Sequence, residues 1–310
     1  MLMRLAPEEL QRIQDWFYRN ARPLDLARWQ YHFEDGGQEA VLKALAAYQN
    51  EDGGFGHALE ADSWNPNSSP LSTATAAERL LEIGYENSAH PVVQGMLLFL
   101  GSGAEMDDNT WRNVIASNNE YPHAPWWHTN SDSTSRSTFN PTAILAGFIL
   151  QYADRESRLF ARGLEIAKEL EALFIQEPEL EMHPLMCVLT LLDYIALAGL
   201  QEYFAYAEMK AAAAMRITAL LVRDAGDWRG YTCKPSALIH NPLSLGYTDN
   251  KALVEKELDF TLSSRNGEGL WSLNWSWNGY EREFAVSENW WKAGIALDKL
   301  LFLQAFGRLD

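Results

Sequence analysis

Apolar positions along the chain recur mainly at the spacing of amphipathic helices, and almost no stretch alternates as a strand would. Segment 156–175 places Leu159, Gly163, Ile166, Leu170 and Leu173 on one face with charges opposite, which predicts a helix covering a core on one side only. The following segment, 183–199, is apolar nearly all round and predicts a helix buried on every side. The same alternation recurs. An amphipathic 38–49 precedes a small-residue, apolar 72–84, and 90–100 precedes 141–153, with Asn140 as N-cap and Pro141 in the first helical position. Helix 202–223 precedes a short one near 243–247. Helix 249–264, capped by Asp249, precedes 287–306, which is capped by Ser287 and stopped at Gly307. With an N-terminal pair at 8–20 and 24–33, the pattern amounts to about six helix hairpins.

Three of the connecting loops share a signature: Asp52-Gly53-Gly54-Phe55, Gly226-Asp227-Trp228 and Gly269-Leu270-Trp271. Glycine permits a positive-φ turn, and the aromatic that follows can pack beneath the adjoining helix end. Half-buried helices alternating with fully buried ones have a simple geometric solution, an outer ring around an inner ring. The expected fold is therefore all-α, an (α/α) toroid occupying residues 1–310 as one domain. An open solenoid of helix pairs is the alternative, but it needs polar capping helices, and 287–306 is strongly apolar.

Composition changes this picture mainly through charge. The net charge is −17, and no two Lys or Arg residues are adjacent. Nucleic acids and anionic lipid surfaces need clustered basic charge, so neither is an expected partner. Thr190 and Asp193 interrupt the most apolar run, Leu185 to Leu200, which is too short to span a membrane. Cys187 and Cys233 cannot form a disulfide framework for a chain of this length. The first residues carry Glu8, Glu9 and Asp15 in place of an apolar leader core. A soluble cytoplasmic protein is expected.

The run Gln49-Asn50-Glu51-Asp52-Gly53-Gly54-Phe55-Gly56, followed by a small-residue helix at 73–84, resembles the glutamine/aspartate–glycine–aromatic repeat of the terpenoid cyclase and protein prenyltransferase superfamily. The likeness is good over 38–84 and degenerate at 223–231 and 265–275. His57-Ala58-Leu59-Glu60-Ala61-Asp62 with Trp64 looks like uncharacterised bacterial members of that superfamily. The resemblance implies an α/α toroid and an apolar, isoprenoid-type ligand. The sequence also departs from the superfamily's chemistry. It has no DxDD acid, and Asp107-Asp108-Asn109 lacks the last aspartate of a DDxxD magnesium site. Prenyltransferases hold zinc with an Asp, a Cys two residues later and a distant His. Here Cys233 follows Asp227 by six residues, with His240 seven further on, and no third ligand is assigned. No cofactor is expected: lone Cys and His residues such as Cys233 and His240 are usually structural, and zinc held by them is the minor alternative.

Every tryptophan except Trp16 and Trp29 falls in a loop or at the start of the last helix: Trp64, Trp111, Trp126, Trp127, Trp228, Trp271, Trp275, Trp277, Trp290 and Trp291. With Tyr231 and His128 they form the expected lining of a ligand cavity, since aromatic walls suit flat or apolar ligands and sugar rings. The same rings could instead fill the mouth as a second core. The expected acid–base groups are His57, Glu60, Asp62 and Asp227. Asp132, Glu283 and Glu288 lie in similar loops, and two carboxylates held in different environments can divide acid and base roles. N-capping and loop hydrogen bonding account for single residues of this kind equally well. His123 shows no metal spacing. Phosphate-binding, zinc-protease and serine-hydrolase signatures are absent from the sequence. Three readings follow. They are a prenyltransferase- or cyclase-like binder of an apolar ligand, a carbohydrate-active toroid using Trp platforms and paired carboxylates, and a catalytically silent binding module.

Overall fold

The computed structural model describes residues 2–130, 138–177 and 179–310. It is all-α. The helices are α1 (Pro7–Asn20), α2 (Pro23–Phe33), α3 (Gln38–Leu45), α4 (Pro70–Glu82), α5 (Pro91–Ser102), α6 (Thr142–Tyr152), α7 (Arg158–Gln176), α8 (Met182–Leu197), α9 (Tyr206–Leu220), α10 (Tyr247–Ser263) and α11 (Glu281–Ala305). The strands among the described residues are a two-residue antiparallel pair, β1 (Met106–Asp107) and β2 (Thr110–Trp111). No helix among the described residues is long and apolar enough to cross a membrane.

The backbone groups into two compact units, Met1–Ala44 with Ala214–Asp310, and Leu45–Ala213. In the second unit α6 is the central element, packing against α4, α5, α7 and α8. Every residue of α6 except Gln151 is buried, as its unbroken apolar sequence demands. Gly147 lies against the Tyr194 ring of α8, where a Cβ would come within 2.7 Å of that ring. The Tyr194 hydroxyl donates to the Ala77 carbonyl at 2.8 Å, and the Tyr152 hydroxyl donates to the Tyr85 carbonyl. These bonds tie α8 and α6 to α4 and to the turn that follows α4. The first unit joins the chain's two ends through a Leu5–Leu309 bridge. There the Arg308 guanidinium donates to the Met3 carbonyl, Asp259 and Glu255.

Several local expectations change. Helix α3 ends at Leu45 and continues as one 3₁₀ turn, Ala46–Tyr48. Pro141, not Asn140, occupies the cap of α6, because its ψ of 9° is not yet helical. Helix α7 buries Gly163, Ile166 and Leu170 as expected, but at its ends it turns Phe160 and Phe174 inward in place of Leu159 and the exposed Leu173. Helix α8 is not buried on every side: Met186, Leu189 and Thr190 are half-buried, and Leu197 is 58% exposed. The short helix near 243–247 is replaced by a turn. Helix α10 instead begins at Tyr247 behind Gly246, whose φ of +75° only glycine adopts freely, and Asp249 falls in its first turn. Helix α11 starts at Glu281 and places Ser287 in the buried interior, yet it stops before Gly307 as expected.

Candidate functional site

The glycine-rich turn after α3 is held as its sequence suggests. Gln49 Nε2 donates to the carbonyls of Gly53 and of Val92 in α5, at 2.9 and 3.0 Å. Gly53 has φ +87°, and a Cβ there would meet the Gly95 carbonyl oxygen at 2.0 Å. Phe55 is fully buried, and its amide donates to Thr73 Oγ1. This part of the repeat therefore has a structural role, joining a turn to α4 and α5.

Beyond that turn the chain enters a loop built on polar side chains. Asn50 donates to the Pro66 carbonyl and to Ser68 Oγ, both at 3.0 Å, and accepts from His57 Nε2 at 2.8 Å. His57 and Ala58 both have left-handed backbone, at φ 54° and 59°. A non-glycine residue in this region costs on the order of 1–3 kcal/mol. Glu60 is half-buried and accepts from the Asp62 amide at 3.4 Å, whereas Asp62 is buried.

A second loop lies alongside. The Trp64 amide donates to the Pro122 carbonyl at 2.9 Å, the Ala124 amide donates to the Asp62 carbonyl at 2.8 Å, and Ser63 and His123 form an antiparallel bridge between them. Asn65 Nδ2 donates to Ser117 Oγ and to Asn118 Oδ1, each at 2.8 Å. Asn118 Nδ2 reaches the Trp127 carbonyl, and Asn119 pairs with both the amide and the carbonyl of Thr129. His128 is thus gripped on both sides by asparagines. Its Nδ1 lies 3.0 Å from Nε2 of the buried His123, whose Nδ1 donates to the Tyr121 carbonyl at 2.6 Å.

The structure therefore brings Asp62, Trp64, Trp127 and His128 into one polar assembly with His123. His57 and Glu60 stand at its near end, and the exposed Trp126 stands beside it. His123, Asn65, Asn118 and Asn119 are the residues that sequence reasoning missed. The spacing of His123 and His128 does not resemble a metal motif, and asparagines in loops read as turn formers. Their density across 113–130 was the available signal. Asp132 lies outside the described residues.

The candidates in the first unit divide by burial. Trp228, Trp271 and Trp277 are interior residues, a correction to their expected place on a ligand surface. The indole N–H groups of the first two donate to the carbonyls of Val222 and Thr261, each at 2.8 Å. These rings anchor the glycine-aromatic turns to the preceding helices. Asp227 is exposed, and its backbone carbonyl closes a turn with the Gly230 amide. Tyr231 is 59% exposed and meets Trp275 edge-on at 6.0 Å, and Trp275 meets Trp291 edge-on at 5.3 Å. The Trp275 indole nitrogen is buried with no hydrogen-bond partner among the described residues. Trp290 lies beneath the Arg22 guanidinium at 5.2 Å, and Glu288 is 3.7 Å from Lys292.

Burial pushes the Cys233 thiol up to about 11, with nearby Glu257 adding to the effect. Among the described residues no group of three or more His, Cys, Asp or Glu side chains converges on a metal-sized site. Comparison with family models, curated proteins and solved structures finds no match to this chain.

Proposed function

We propose that this chain is a prenyltransferase- or terpene-cyclase-like protein that binds an apolar, isoprenoid-type ligand on half-buried aromatic rings. The toroidal closure of its hairpins belongs to the same proposal. One observation carries it: the half-buried Trp291, which meets Trp275 edge-on, precedes by one helical turn a glycine that packing does not require. Gly294 lies one turn beyond Trp290 and Trp291 on α11, and a Cβ there would meet nothing within 4 Å outside its own helix. Glycine inside a helix costs about 1 kcal/mol relative to alanine. A bare backbone beside exposed aromatic edges gives an apolar chain room for close approach.

The test uses tryptophan fluorescence titrated with farnesol. Binding should be quenching and saturable. Gly294→Leu should weaken it at least several-fold, and Gly294→Ala should raise stability by about 0.5–1 kcal/mol. Unchanged farnesol affinity in Gly294→Leu and in Trp291→Ala would reject the assignment.

A second reading, carbohydrate binding, is favoured by Trp126, which is 44% exposed two residues after Ala124, whose amide donates to the Asp62 carbonyl. Saturable quenching by an oligosaccharide, lost in Trp126→Ala, would select it. The acidic surface and two free, buried cysteines support a cytoplasmic setting.

A further inference from the structure

We propose that His128 Nε2 is a preorganised proton-accepting site for a ligand hydroxyl, oriented by His123 as a positioning residue. The Tyr121 carbonyl can only accept, so the His123 nitrogen 2.6 Å away, Nδ1, must carry a hydrogen. With that ring neutral, its Nε2 is a bare lone pair. The contact of 3.0 Å from His123 Nε2 to His128 Nδ1 is then a hydrogen bond donated by His128. A neutral His128 carrying its hydrogen on Nδ1 has its lone pair on Nε2. That nitrogen makes no hydrogen bond among the described residues, and its ring is exposed. The two rings are nearly parallel, at 7°, with centroids 5.2 Å apart.

The surroundings hold this arrangement in place. Asn118 grips the residue before His128 and Asn119 grips the residue after it. Asn65 in turn fixes Asn118. His123 is buried and bridged to Ser63. A base whose far nitrogen donates to an acceptor is held in one tautomer and one orientation, which is the arrangement general-base catalysis uses. His57 makes a useful contrast, because its Nε2 is engaged by Asn50. Trp126, two residues before His128, offers an exposed indole against which a flat ligand can lie. The chemistry points to a ligand with a hydroxyl on a planar or ring-shaped body. Its proton moves to His128 Nε2, and the Nδ1 proton remains shared with His123.

Nitrogen-15 long-range spectra of the full chain at neutral to mildly alkaline pH test this directly. The expected result is the Nδ1–H form at both His123 and His128, whereas free imidazole side chains favour Nε2–H. Adding p-nitrophenol, a flat probe with an acidic hydroxyl, should shift His128 Nε2 and leave His57 unmoved. In His123→Phe the His128 signal should return to the Nε2–H form, and His123→Gln, which retains an acceptor, should preserve Nδ1–H. An Nε2–H form at His128 in the unmodified chain would overturn the proposal, and that measurement needs no variant to fold. So would a p-nitrophenol response equal at His57 and His128. Neither result bears on farnesol binding at Trp291, so the two readings fail separately.

Discussion

Glu257 shows what a single buried charge does in this protein. It is fully buried on α10, and it accepts from the Ser236 amide at 2.6 Å, from Ser236 Oγ at 2.5 Å and from Lys299 Nζ at 3.4 Å. Lys299 also donates to Ser236 Oγ at 3.0 Å. One carboxylate thus ties the loop between α9 and α10, which carries Cys233 and Lys234, to α10 and to Lys299 of α11. Burial, with Lys299 close by, holds the Lys234 ammonium below its usual range, and its Nζ is bonded to the Trp228 carbonyl. Removing one member of a buried charged pair leaves the other uncompensated, at a cost of about 3–5 kcal/mol. Urea unfolding of Glu257→Ala should show a loss of that size, and Glu257→Gln a smaller one.

Two tyrosines make stability depend on alkaline pH. Burial pushes the Tyr152 hydroxyl up to about 12, with Glu86 and Tyr85 adding to the effect. Burial raises Tyr194 as well, with Tyr152, Glu78 and Asp193 contributing. An unfolded chain ionises these phenols near pH 10, so above about that pH the folded state binds more protons than the unfolded state. Their stabilisation is complete below that point and declines as pH rises from about 10 towards 12. Urea midpoints measured across this window should fall, and Tyr152→Phe should reduce the slope. A midpoint independent of pH would contradict this account.

At the scale of elements, the turn between α3 and α4 depends on one glycine. Gly53 combines a positive φ with a backbone contact to Gly95, so Gly53→Ala must both strain its own backbone and displace α5. The expected cost is at least about 2 kcal/mol, set by strain plus displaced packing. Gln49→Ala, which removes the bonds to Gly53 and Val92, should cost about 1–2 kcal/mol. Calorimetry on both variants checks the order. In α7 the Ser157 side chain caps the helix through the Phe160 amide, and Glu171 accepts from the Ala205 amide. The Ser157 cap explains why α7 begins close to its sequence position, whereas α9 begins at Tyr206, behind the Ala205 amide that Glu171 holds, and not at 202. Boundaries around 241–247 and 280–287 moved because a left-handed Gly246 and a left-handed Tyr280, not a polar cap, begin α10 and α11.

For the whole molecule the governing quantity is the net charge of −17. Self-repulsion at that charge opposes the compact state and is screened by salt, whose Debye length shrinks to about 8 Å at physiological strength. The melting temperature at neutral pH should therefore rise between low and physiological salt. A decrease would mean that ion pairs such as those of Arg308 with Glu255 and Asp259 outweigh the repulsion.

The sequence by itself determined the all-α class, most helix positions, and the Gln49 to Phe55 turn. Each rests on contacts close in sequence: apolar spacing along one helix, a glycine that a turn needs, an aromatic beneath it. Only the tertiary structure decided which tryptophans are interior. Trp228 and Trp271 bond to nearby carbonyls and are buried, while Trp126 is open, and composition is the same for all three. The structure alone also revealed His123 as the partner of His128. Both lie in a loop without periodic structure, and their alignment depends on Asn65, far away in sequence, holding Asn118 in place. Hydrogen bonds between distant loops leave no periodic trace, because neither side chain's role is defined until the backbone brings them together.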